Sequence, residues 1–117
     1  MELRQQEHYE VVYGLLDSGN SLIEPVSGIP VCLLDGEIME HFLPHDYRDA
    51  HPEKFRIVPF HSVGKKNGLL DGFLVEEVIV HRPEGKLCRR DVVLAKAPEQ
   101  VSMEGRYQMI LNRCFSS

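Results

Sequence analysis

Three features of the sequence predict a mainly β domain with one or two short helices. Apolar, β-prone runs of strand length recur along the chain. Glycine-bearing turn clusters separate them, at Asp35-Gly36, Asn67-Gly68 and Pro83-Glu84-Gly85. Helical spacing is clear only over residues 37–43. Short strands divided by such turns favour a barrel-like or sandwich domain. The chain has 117 residues, 43% of them hydrophobic, which suits a single globular core.

Residues 1–8 are polar and read as a lead-in or linker remnant, leaving 9–117 as the domain. Residues 9–16 read as a strand with Tyr9, Val11, Tyr13 and Leu15 on one face and Val12 and Leu16 on the other. Apolar residues on both faces predict an interior strand. Leu22-Ile23 begins a short extended piece that Pro25 and Ser27-Gly28 end. Ile29 to Leu34 is a continuous apolar strand broken by Asp35-Gly36. In residues 37–43, Ile38 with Phe42 and Met39 with Leu43 are i,i+4 pairs, and Pro44 forbids continuation.

His45 to Lys54 is polar and aperiodic, which predicts an exposed loop. Phe55 to Val63 is extended and turns through Gly64 to Gly68 into a strand from Leu69 to Val80, kinked or bulged at Asp71-Gly72. A second hairpin turn at Pro83-Glu84-Gly85 leads to a strand from Leu87 to Ala95. Pro98 to Gly105 suggests a helical turn, and Arg106 to Leu111 a last strand.

The net charge is −5, and no basic cluster exceeds Lys65-Lys66 or Arg89-Arg90, which argues against a nucleic-acid partner. Cys32, Cys88 and Cys114 lack metal-ligand spacing, and their odd number argues against a closed disulfide framework. His41 and His45 have i,i+4 spacing, but Pro44 between them should end the helix that would align them, so no metal site is assigned. No apolar run approaches the roughly 20 residues that span a bilayer, and the start is too polar for a signal peptide.

The chemistry is concentrated in Val11-Val12-Tyr13-Gly14-Leu15-Leu16-Asp17-Ser18-Gly19-Asn20, an apolar run driving into a carboxylate. A carboxylate ending a buried strand calls for a partner or a reaction. Ser18 can orient by hydrogen bonding, and Gly19 lets a second backbone or a substrate approach. The same residue types also make ordinary strand-end turns, as Leu33-Leu34-Asp35 and Leu69-Leu70-Asp71 are expected to do.

Leu15-Leu16-Asp17-Ser18-Gly19 resembles the active-site signature of the pepsin and retropepsin aspartic proteases. A longer match covers Gly14 to Pro25, Gly28-Ile29-Pro30-Val31, Ile57 to Gly64 and Gly68-Leu69-Leu70. In that order, from about Tyr9 to about Leu111, the chain resembles the peptidase domain of the sporulation sigma-E factor-processing peptidases.

The resemblance implies a retropepsin-like half-barrel acting as a homodimer without cofactor or metal. Asp17 of each chain would form a dyad sharing one proton, because two like charges that close cannot both ionise. Ser18, Gly19 and Asn20 would support that loop. A flap from Ile57 to Phe73 would cover the cleft, with Phe60, Val63, Gly64 and Leu69 as candidate substrate contacts. The implied substrate is the inactive pro-form of a sporulation sigma factor. The family is membrane-anchored by an N-terminal domain to which nothing here corresponds, with the protease on the mother-cell cytoplasmic side, and it is activated by a signalling protein of the other cell. Two positions depart from the retropepsin pattern: Asn112, before Arg113, stands where glycine is usual, and Ser21 replaces a carboxylate that often follows the triplet. Asn112 keeps open an alternative, a non-catalytic binding or dimerisation module.

Overall fold

The computed structural model describes residues 1–17, 19–60 and 68–116. In chain order the elements are β1 (Glu2–Gln5), β2 (His8–Val11), β3 (Gly14–Leu16), β4 (Val31–Leu34), α1 (Gly36–Phe42) and α2 (His45–Asp49). They continue with β5 (Phe55–Phe60), β6 (Gly68–Arg82), β7 (Gly85–Lys96) and β8 (Met109–Leu111). Short 3₁₀ turns occupy Pro52–Lys54 and Arg113–Phe115. The fold is a mainly β mixed sheet with two short helices. Its strands run in the order β2-β1-β6-β7-β4-β8-β3, with β5 added to β6.

The two ends of that path, β2 and β3, are separated in sequence only by Val12 and Tyr13. Val12 donates its N–H to Met1 O at 3.0 Å and accepts from the Met1 ammonium at 2.8 Å. Tyr13 turns to the other margin, accepting the Gln108 N–H at 2.9 Å and donating its own to Gln108 Oε1 at 3.0 Å. One segment thus serves both edges, and the sheet curls on itself.

Curling gives the sheet an inner and an outer face. Cys32 and Leu34 of β4, Val92 and Leu94 of β7, and Phe73 and Val75 of β6 join the inner core, closed by Met39, Phe42 and Leu43 of the α1 region. The alternate residues Val31, Leu33, Val93 and Ala95 form an outer cluster with Val58 and Leu70 of the β5–β6 hairpin. Strands buried on both faces read as continuous apolar runs, and β4 is buried at all its positions. Helix α1 ends at Phe42, ahead of Pro44.

Several sequence expectations change. The polar start is not frayed: β1 pairs with both β2 and β6. Leu3 is fully buried, and the buried Gln5 amide takes the Glu76 N–H at 2.7 Å and reaches Tyr47 Oη at 3.2 Å. Residues 9–16 are interior only at Val12, because β2 and β3 are the sheet margins, and Tyr9, Val11, Tyr13, Leu15 and Leu16 are exposed. His45 to Lys54 holds α2 and a 3₁₀ turn rather than a loop, tied down by Arg48 Nε on Leu43 O at 2.9 Å.

At Asp71-Gly72 the β5–β6 ladder keeps its register without a bulge. Gly72 serves close approach instead, since a Cβ there would lie 2.9 Å from Val93 Cγ1. Asp71 is consequently mid-strand, opposite Ile57, and caps no turn. Residues 98–105 form turns, not a helix. The second hairpin closes as expected, with Arg82 opposite Gly85 at a φ of 128°. The first hairpin's tip lies outside the described residues. Among those described, no helix is long and apolar enough to cross a membrane.

Candidate functional site

Strand β8 lies between β3, which it pairs in parallel, and β4, which it pairs antiparallel. The chain therefore leaves β3 at Asp17, travels around the end of β8 and re-enters the sheet as β4. Asp17 is exposed at the start of that excursion. Its carbonyl accepts the Asn20 N–H at 3.0 Å and its Oδ1 accepts the Gly19 N–H at 2.9 Å. The other carboxylate oxygen has no partner among the described residues.

Asp17 borders a cleft of about 350 Å³ on the outer face, lined also by Gly19, Asn20, Ser21, Leu22, Leu33, Phe60 and Ile110. Asp17 is the sole titratable group among these described lining residues. Phe60 reaches the cleft because the period of two places it on the same face of β5 as Val58. Leu69, opposite Pro59, takes the other face, is 69% exposed and does not line the cleft. Ser18, Val63 and Gly64 lie outside the described residues.

Beneath the exposed carboxylate the loop is held by buried polar groups. Asn20 is 8% exposed and its Nδ2 donates to Leu111 O at 3.2 Å and to Ile110 O and Val31 O at 3.4 Å. Its Oδ1 accepts the Leu22 N–H at 3.2 Å, and its carbonyl accepts the Arg113 N–H at 2.8 Å. Asn112, 3% exposed, donates through Nδ2 to Leu22 O at 2.7 Å and Val31 O at 3.3 Å. Its Oδ1 accepts the Cys114 N–H at 3.0 Å. Arg113 contributes its backbone here; the guanidinium that donates to the Cys114 carbonyl, at 3.0 Å, belongs to Arg89. Cys32 packs below, where burial pushes its thiol up to about 12 although the Asn112 N–H on its Sγ pulls the other way. That thiol is a packing group, not a nucleophile.

Sequence reasoning missed a second support. Glu24 is 2% exposed, and its carboxylate accepts from Val26 N–H, Ser27 N–H and Ser27 Oγ while meeting Arg56 Nε of β5 at 3.3 Å. Burial alone would raise this carboxyl; the Val26 and Ser27 hydrogen bonds with the Arg56 charge outweigh it and hold it below its ordinary value. The Glu-Pro-Val-Ser-Gly spacing hinted at a carboxylate capping its own turn, but the partner 32 positions later had no local signal. His41 and His45 turn to different carboxylates, Glu10 at 2.5 Å and Asp49 at 3.0 Å. Among the described residues no three His, Cys, Asp or Glu side chains converge on a metal-sized site.

A carboxylate open to a cleft, on a loop fixed from below and facing apolar walls, can accept a proton from water held beside a bound chain. It cannot at the same time donate one. The family model for the sporulation factor SpoIIGA, peptidase family U4, matches residues 1–115. A sporulation sigma factor-processing peptidase so named in Bacillus thuringiensis subsp. kurstaki is 26% identical over 115 residues, covering 85% of this chain and 71% of that protein. The sporulation sigma-E factor-processing peptidase of Priestia megaterium is also 26% identical over 115 residues, with 85% of this chain but 38% of that longer protein covered. No solved structure matches significantly.

Proposed function

Because the chain belongs to the SpoIIGA family of sporulation peptidases, we propose that it is an aspartic endopeptidase whose working site joins Asp17 of two chains. The observation that carries this is the lone carboxylate: the described cleft offers Asp17 and no second titratable group. Peptide hydrolysis by carboxylates needs one to take a proton from water and one to protonate or polarise the scissile carbonyl. A twofold axis beside Asp17 supplies the second by repetition.

The surface next to Asp17 favours such a pairing. Strand β3 is a sheet margin, and Tyr13 just before it and Leu15 and Leu16 within it are 73%, 40% and 44% exposed, immediately before the carboxylate. Exposed apolar edge strands are natural pairing surfaces. Asp17 sits at the end of this margin, where a symmetric partner would bring its own copy. The retropepsin-like arrangement of the dimer is part of the same proposal, with Ser18 and Gly19 at the axis and the β5–β6 hairpin as flap. Among the described flap residues Phe60 lines the cleft and would touch substrate.

The substrate is the inactive pro-form of a sporulation sigma factor, sigma-E by the name of the Priestia megaterium relative. Processing at the membrane on the mother-cell side, under a signalling protein of the other cell, completes the proposal. The rival, a non-catalytic dimerisation module, rests on Asn112 standing in a glycine's place, where its side chain holds the Asp17 loop through Leu22 O and Val31 O. Cleavage of a pro-sigma substrate by the native chain and by Asp17→Asn tests the proposal. Single-site cutting that the Asn variant loses while keeping its fold and association supports it. Equal cutting by both overturns it.

A further inference from the structure

We propose that Asn112 is a positioning residue for Asp17, acting through the outgoing limb of its loop; this rests on the protease function proposed for that site. Leu22 is the point of action. Its N–H is held by Asn20 Oδ1 at 3.2 Å and its carbonyl by Asn112 Nδ2 at 2.7 Å and the Val31 N–H at 3.0 Å. Val31 O in turn receives both asparagine amides, at 3.4 Å from Asn20 and 3.3 Å from Asn112. The two side chains lock the segment from Asn20 to Leu22 onto β4 and β8, while Asp17 is tied to it by the Asn20 N–H at 3.0 Å.

The chemistry of the amide makes asparagine the residue that fits. Asn112 must accept from Cys114 N–H with one end and donate to Leu22 O and Val31 O with the other. A carboxylate offers acceptors only, a serine is too short to span both, and a glycine supplies neither. Glycine and alanine would take one of two donors from each of the Leu22 and Val31 carbonyls. The side chain also lines no part of the cleft. Its effect on the reaction runs through the loop, whose Asn20, Ser21 and Leu22 also line the cleft.

Asn112→Asp and Asn112→Ala separate this role from capping of the 3₁₀ turn at Arg113–Phe115, since Asp keeps the acceptor for Cys114 N–H and turns an acceptor toward the Leu22 and Val31 carbonyls, whereas Ala loses acceptor and donors together. The native chain and both variants are compared for thermal unfolding, for kcat and KM on a pro-sigma substrate at a temperature where each is folded, and for amide hydrogen exchange. In both variants kcat falls by on the order of 10²-fold, as expected when a reacting group is misplaced by about an ångström. Exchange at the Gly19 and Asn20 amides quickens at least about tenfold while β6 and β7 stay protected. If Asp keeps native kcat while Ala loses it, capping is the role and the positioning proposal falls. Unchanged exchange at Gly19 and Asn20 in a folded variant overturns it as well, whatever the activity. Should Asp17→Asn cut as well as the native chain, the catalytic role of Asp17 fails, whereas the exchange result still decides whether Asn112 holds the loop.

Discussion

Leu15-Leu16-Asp17 and Leu33-Leu34-Asp35 are the same tripeptide in two places of one sheet, and the places decide what each does. In β4, at the sheet's interior, Leu33 and Leu34 are 9% and 0% exposed, and Asp35 Oδ1 accepts the Val101 N–H at 2.7 Å while its backbone opens α1. In β3, at the margin, Leu15 and Leu16 are 40% and 44% exposed, and Asp17 holds only its own turn. The interior copy uses its leucines for burial and its aspartate for a structural bond. The marginal copy leaves both exposed. The buried amides of Asn20 and Asn112 then take over the task that packing performs elsewhere.

The comparison is tested most severely by removing each carboxylate isosterically. Asp17→Asn is expected to cut pro-sigma cleavage by on the order of 10³-fold, the range of a lost acid–base group, with little change in melting temperature. Asp35→Asn should leave kcat within about twofold, because its partner is a backbone N–H that an amide oxygen can still satisfy. The leucines should reverse that order. Leu34→Ala is expected to destabilise the fold by about 2–5 kcal/mol in urea unfolding, whereas Leu16→Ala should stay within about 1 kcal/mol for the monomer. Leu16→Glu would instead weaken self-association in sedimentation without unfolding the chain. Native-like association of Leu16→Glu would remove the margin's assigned role.

A smaller effect is expected from pH. The Glu24 carboxyl is held below its ordinary value in the folded chain, so the unfolded state binds the extra proton first. Its contribution is fully present above the unfolded value of 4.5 and declines as pH falls below that, through the lower folded value. Glu24→Gln should flatten the loss of stability below about pH 4.5 relative to the native chain in acid titration of urea unfolding. An unchanged acid limb would mean that the Val26 and Ser27 hydrogen bonds and the Arg56 charge do not stabilise the Glu24 carboxylate.

What could be read from the sequence follows the same division. Strand β4 and the end of α1 at Pro44 were legible because continuous apolar runs and proline act locally. Strand β1 was not, since its alternation is Leu3 followed by a buried glutamine whose value depends on Glu76, more than 70 positions away. The apolar run from Tyr9 to Leu16 signals a strand correctly for much of its length but cannot say whether the strand is central or marginal. Helix α2 carries no apolar stripe and is held by Arg48 on the preceding Leu43 carbonyl. At the site, Asp17, Asn20 and Phe60 were nameable from the motif and meet at one cleft. Leu69 alternates away, and the Glu24–Arg56 pair emerges only once β5 packs on the outer face.

In the proposed function one reactive site needs Asp17 from two chains. The most direct measurement mixes the native chain with increasing Asp17→Asn chain at fixed total concentration, above the association range, and follows the cleavage rate. A shared dyad gives activity falling as the square of the native fraction, because mixed dimers lack a carboxylate. A rate falling in simple proportion to the native fraction would mean that each chain cuts alone, and would contradict the shared site.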